Sequence, residues 1–247
     1  MISLLIALGI GFFIGMLPSL PFIDLYHWGV GLVISSGISV FTFAKLSQKV
    51  NKEFAPLLEK ANSFMQSQKW RQAIDVLESG RVFKNRMFLV EGQIEAQIGM
   101  VYYFQGKESE AYEHFKLATP RNWFAMLAYS YLMLKFKKPD EMIEQFELTL
   151  KVNKKEVIVW NAYAFCLDKI SKRDEAIEVL NRAIKKLGEN PETQANLNAL
   201  QNGRKMNMKP FGEMWYGLKI ERAPKQMAQR SPNHPGYRGF KQKKRMR

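Results

Sequence analysis

The chain has 247 residues, with 37 Lys and Arg against 23 Asp and Glu and a formal net charge of +14. One cysteine, Cys166, permits no internal disulfide and fits a reducing compartment, which sets aside the disulfide-stapled secreted class. His27, His114 and His234 show no metal-ligand spacing, no glycine-rich phosphate loop follows a strand, and no nucleophile–base set stands out, so neither an enzyme nor a cofactor or metal is expected.

Residues 1–44 contain no Lys or Arg. Met1–Leu17 is almost wholly apolar, Pro18 and Pro21 interrupt it, and Trp28–Ala44 is apolar again. Each stretch makes a helix of about 25 Å, slightly short of a hydrocarbon core of about 30 Å. The expectation is a membrane anchor over 1–46, two short transmembrane helices at about 2–17 and 28–45. Gly11 and Gly15 on one limb, with Gly29, Gly31, Ser35, Ser36 and Gly37 on the other, allow close helix contact. A secretory signal needs a positive start and a small-residue cleavage site, and neither is present. Lys45, Lys49 and Lys52 follow the second limb at once, so the positive-inside rule puts both termini and the rest of the chain on the cytoplasmic side of the plasma (inner) membrane.

A phrase recurs along the middle of the chain: WRQAIDVLESG at 70–80, ESEAYEHFKLA at 108–118, PDEMIEQFELT at 139–149 and RDEAIEVLNRA at 173–183. Each copy has Ala73, Ala111, Met142 or Ala176, then Leu77, Phe115, Phe146 or Leu180 four residues later, then Gly80, Ala118, Thr149 or Ala183. The anchors lie 38, 31 and 34 residues apart. Small residues let antiparallel helices approach, bulky ones fill the gap beside them, and a unit that cannot bury its own apolar face stacks on the next. Asp140, Asp174 and Ser109 stand where they can cap the second helices. Pro191–Asn202 reads as a further helix closing the stack, and 81–88 as a connector that extends a helix.

These repeats resemble the tetratricopeptide family, whose unit is a helix–turn–helix of 34 residues. The fourth unit fits best, with Trp160, Ala164, Leu167, Ala176, Leu180 and Ala183, whereas the second has Glu95 where the family has a large residue. The resemblance implies an all-α fold: a solenoid of about four repeats over 54–202 (about 54–87, 92–122, 123–156 and 157–190, with the capping helix 191–202). It also implies that fixed positions of each first helix line a concave face. On this chain those positions hold Asn62 and Met65, Met100 and Tyr103, Phe124, Leu127 and Tyr131, and Asn161 and Phe165. The basic residues with which some members clamp a terminal carboxylate are absent. The expected groove is therefore apolar, rich in Met and aromatic side chains, and suited to an apolar peptide or amphipathic helix.

Residues 203–247 form a basic tail, with 13 Lys and Arg against Glu213 and Glu221, expected to be largely extended. Within it PFGEMWYGLKI, 210–220, is dense in aromatics. Three readings stay open for this stretch: a last helix of the array, a segment docked in the array's own groove, or a site for an external partner. Two functions follow. One is a membrane-anchored scaffold that binds a protein segment in the groove while Lys241, Lys243, Lys244, Arg245 and Arg247 touch anionic lipid. The other is a membrane-tethered nucleic-acid- or ribosome-binding protein acting through the tail, with Tyr237, Phe240 and Trp215 stacking on bases.

Overall fold

The computed structural model describes residues 2–16, 28–86 and 89–222. All the regular structure among them is helical. Helix α1 (Ile2–Met16) packs along α2 (Trp28–Gln66), and helices then alternate in antiparallel pairs. These are α3 (Trp70–Ser79), α4 (Val90–Gln105), α5 (Glu108–Lys116), α6 (Trp123–Lys135), α7 (Pro139–Val152), α8 (Val157–Lys169), α9 (Arg173–Leu187) and α10 (Pro191–Gln201). The end of α2 pairs with α3, then α4 with α5, α6 with α7 and α8 with α9, while α10 covers the last pair. We call the first helix of each pair A and the second B.

The seam of each pair uses the recurring anchors. Ala73, Ala111, Met142 and Ala176 are all completely buried, as are Leu77, Phe115, Phe146 and Leu180 within about one per cent. Gly99 shows why a small residue is needed, because a Cβ there would stand 2.6 Å from the Phe115 ring. The register is locked at the A–B turns. Gln68, Gly106, Lys137 and Ser171 all have φ between 56° and 79°, and they repeat at the spacing of the anchors. The next residue, Lys69, Lys107, Lys138 or Lys172, donates its N–H to a carbonyl five residues back, at 2.8–3.0 Å. Gly203 and Arg204 do the same at the end of α10. This is the Schellman closure of an α-helix, and its repetition gives every A helix the same rotation about its axis.

Two expectations are corrected. Among the described residues no helix is long and apolar enough to cross a membrane, so the transmembrane hairpin is not part of this fold. α1 has 15 residues, a length of about 22 Å at 1.5 Å per residue, which falls well short of about 30 Å. The second limb does not stop near residue 45: α2 runs 39 residues into the first repeat, so Lys45, Lys49 and Lys52 lie in mid-helix and no break separates an anchor from the array. Nothing between Trp28 and Pro56 interrupts a helix, and the helix continues through Pro56 itself.

The hairpin nevertheless packs closely. Ser3, Ala7, Gly11 and Gly15 form a ladder of small buried residues that meets Gly31, Ser35 and Ser39. A Cβ on Gly15 would fall 2.4 Å from the Ser35 Cα. The outward faces carry exposed apolar side chains, among them Leu5, Phe13, Val33 and Phe41. The hairpin is tied to the first repeat where Ile2 N–H donates to the Asn85 carbonyl at 2.9 Å and the Ser3 hydroxyl to the Arg86 carbonyl. Asn85 and Arg86 follow a short 3₁₀ turn, Gly80–Phe83, that stands where a longer helix is expected from the sequence.

Candidate protein-binding face

The common turn geometry aligns the A helices in rows. Asn62, Met100, Tyr131 and Phe165 share one row, and Met65, Tyr103, Leu134 and Asp168 the next. Of the residues expected to line the face, Met65, Met100, Tyr103, Phe124, Leu127, Asn161 and Phe165 are buried, and Asn62 and Tyr131 are half-buried. The expectation of an open trough is therefore corrected. The chain itself covers the face at Phe165 and Tyr103.

The cover is the stretch 206–220. Helix α10 ends at Gln201, and an exposed link, Arg204–Lys205, leads to a 3₁₀ turn, Lys209–Phe211, and a short helix α11 (Gly212–Gly217). Met208, Phe211, Trp215 and Leu218 recur at i, i+3, i+7 and i+10, the spacing of one helical stripe. All four are buried, Trp215 and Leu218 completely. Gly212 separates the two turns with φ 53° and ψ −131°, a backbone conformation that glycine supplies. Of the three readings left open for 210–220, the structure shows the segment docked on the array's own face. Lys241, Lys243, Lys244, Arg245 and Arg247, with Tyr237 and Phe240, lie outside the described residues.

Contacts run along the face from the fourth unit to the second. Asn161 donates to the Val157 carbonyl and to Thr193 Oγ1, both at 3.0 Å, and accepts from Asn196 at 2.9 Å. The Asn196 side-chain oxygen Oδ1 in turn accepts the backbone N–H of Asn207 at 2.7 Å. Asn161 is therefore a satisfied member of a buried amide network that anchors the start of the segment. The Trp215 ring stands edge-on to Phe165 with centroids 4.9 Å apart, and its indole N–H donates to Glu221 at 2.7 Å. Further along, the Tyr103 hydroxyl donates to the Leu218 carbonyl. Burial, with Tyr131 close by, pushes the Tyr103 phenol well above its ordinary range and keeps it a donor. The Lys219 ammonium sits 5.6 Å from the Phe104 ring centroid and donates to the Phe104 carbonyl at 3.1 Å, at the C-terminal end of α4 where the helix dipole favours a cation. Burial lowers its pKa.

Sequence reasoning missed Asn196, Phe104 and Lys219. The stripe Met208–Phe211–Trp215–Leu218 is the signal that points to a docked helical turn.

A second polar cluster lies between the connector and the second unit. The Glu95 carboxylate, buried in place of a large residue, is held by Arg81 and by His114 Nδ1, each at 2.7 Å. His114 stacks on Tyr102 with centroids 5.2 Å apart. Arg81 also binds Glu78, so one guanidinium ties α3, the 3₁₀ turn and α4 together. Cys166 is buried inside α8, and burial pushes its thiol up to about 12. No group of three or more His, Cys, Asp or Glu positioned to hold a metal occurs among the described residues.

No family model matches the chain, and no curated protein is significantly similar to it. Solved structures do match. One, MamA MSR-1 C2, is 15% identical over 68% of this chain and 97% of its own, with a TM-score of 0.41, a likeness too slight to carry an assignment. The repeated helix pairs themselves place the chain among helical-repeat folds.

Proposed function

We propose that this protein is a helical-repeat scaffold that binds a protein partner across the inner face of its A helices. The observation that supports the reading is the chemistry of that face. It is built from Met100, Tyr103, Leu127, Phe165 and neighbouring apolar side chains, and it takes a helical stripe of large apolar residues from the chain itself. A surface that completely buries Trp215 on a short helix, and Leu218 just beyond its end, has the depth that anchor residues of a bound segment require. Polar donors and acceptors at both ends, Asn196 and Tyr103, give such a segment a direction and a register.

A photocrosslinking amino acid at the half-buried Tyr131, compared with one at the exposed Glu178 on α9, tests the reading. Protein adducts are expected at position 131 and not at 178, and they should disappear when a synthetic peptide of residues 204–222 is added in excess. Equal labelling at both positions, or labelling that ignores the peptide, would overturn it.

A further inference from the structure

The segment that covers the inner face has the marks of a ligand rather than of a repeat. It adds no helix pair. It reaches the face through the exposed link Arg204–Lys205, and its own regular structure amounts to a 3₁₀ turn of three residues and a helix of six. Two positive-φ residues, Gly212 and Lys219, bound the short helix. Such short pieces do not persist alone in water, so the fold of the segment comes from the surface beneath it. The polar contacts already described join its two ends to the array, Asn207 to α10 and Leu218–Lys219 to the A helix α4.

Resting on the reading of the inner face as a protein-binding surface, we infer that residues 206–220 are a resident occupant that competes with the external partner. That partner is a short segment of two helical turns broken between them, with four large apolar side chains at the spacing of Met208, Phe211, Trp215 and Leu218, followed at once by a cation. The cation fills the place of Lys219 against the Phe104 carbonyl and ring.

Tethering makes the competition strong. A short flexible link holds its ligand at an effective concentration on the order of 1 mM. An external segment of equal intrinsic affinity binds more weakly in proportion to the fraction of molecules with the face free. If about one molecule in a hundred is open, the apparent affinity falls about a hundredfold. A partner with a better anchor, or a second contact elsewhere on the array, recovers that loss and displaces the segment. The scaffold is thereby closed to weak apolar sequences and open to matched ones.

The test uses full-length protein and a fluorescent synthetic peptide of residues 204–222, read by polarisation. Two variants release the resident segment without touching the array. Trp215→Ala removes its deepest anchor, and Gly212→Val places a β-branched residue at positive φ. Both should bind the peptide about a hundredfold more tightly than the wild-type chain, with the helical content of the array kept. Equal affinity for wild type and variants would show that the segment does not occupy the face in competition. Variants that stay folded and bind no peptide would show that the face accepts no such helix in trans. Loss of array helicity in both variants would make the segment a permanent part of the core. Any of these three results overturns the inference. The peptide assay needs no natural partner, so its failure and a failure of the Tyr131 crosslinking remain distinct.

Discussion

Two buried tryptophans offer a direct measure of what is core and what is docked. Trp160 lies inside α8, 5% exposed, with its indole N–H on the Lys154 carbonyl at 3.1 Å and the Arg182 guanidinium 5.6 Å over its ring. Trp215 is more deeply buried, at 0%. If burial alone governed, truncating Trp215 would cost at least as much as truncating Trp160, about 3–5 kcal/mol for a core aromatic. A displaceable segment changes the arithmetic, because its loss cannot destabilise the array by more than the free energy of docking. An undocked population of about 1% sets that ceiling at about 2.7 kcal/mol. Trp160→Ala should therefore lower the melting temperature by roughly 6–20 °C, taking 2–4 °C per kcal/mol for a chain of this size. Trp215→Ala should lower it by less than roughly 10 °C on the same scale. Circular dichroism at 222 nm gives the melting curves. Hydrogen exchange of a peptide covering 206–220 supplies the local readout, and in the wild type it should exchange far faster than α8. Equal losses for the two variants, with 206–220 exchanging only through global unfolding, would refute the docked reading.

Three further expectations address the array. Lys137→Gly and Ser171→Gly, at φ 57° and 64°, relieve left-handed strain of about 1–2 kcal/mol and lose about 0.4–1 kcal/mol to a freer unfolded chain, so each should stabilise by roughly 0.5–1 kcal/mol in urea titrations. Cys166, buried and with its thiol raised to about 12, should react with a maleimide at pH 7.5 only at the rate at which α8 opens, and a fast stoichiometric reaction would place it elsewhere. The bidentate Arg182–Glu147 pair, at 2.7 and 2.8 Å, holds the Glu147 carboxyl below the ordinary carboxylate range, so it stabilises above that range and the contribution is lost as pH falls through the depressed value. Both side chains are partly exposed, so Glu147→Gln should cost less than about 1 kcal/mol at pH 7, and the difference from wild type should close under acid in paired melts.

The parts of this fold that were legible in the sequence are those whose causes are local and repeated. Ala73, Ala111 and Ala176 recur because two helices cross closely over a small side chain, and the constraint acts afresh in three of the four pairs, the third seating Met142 instead. The hairpin seam was legible for the same reason, since Gly11 and Gly15 meet Ser35 at distances no Cβ allows. What composition could not convey was where a helix ends. An apolar run followed by Lys45, Lys49 and Lys52 gave the appearance of a boundary near residue 46, yet neither breaks an α-helix from Trp28 to Gln66.

The sequence raised docking of 210–220 in the groove as one of three readings but could not choose among them. The resemblance to the tetratricopeptide family supplied the positions of each A helix that line the face, and it described their side chains as available. Availability depends on the other surface, and here that surface lies far along the chain: the Tyr103 hydroxyl meets the carbonyl of Leu218, 115 residues away. No local period carries a contact of that separation. Its trace is complementarity, an apolar stripe at 208, 211, 215 and 218 that a basic tail has no reason to hold unless something receives it. An apolar face on a repeat array and an unmatched apolar stripe in a neighbouring tail are thus two halves of one observation. In helical-repeat chains that carry both, the intramolecular pairing should be weighed before the face is described as open.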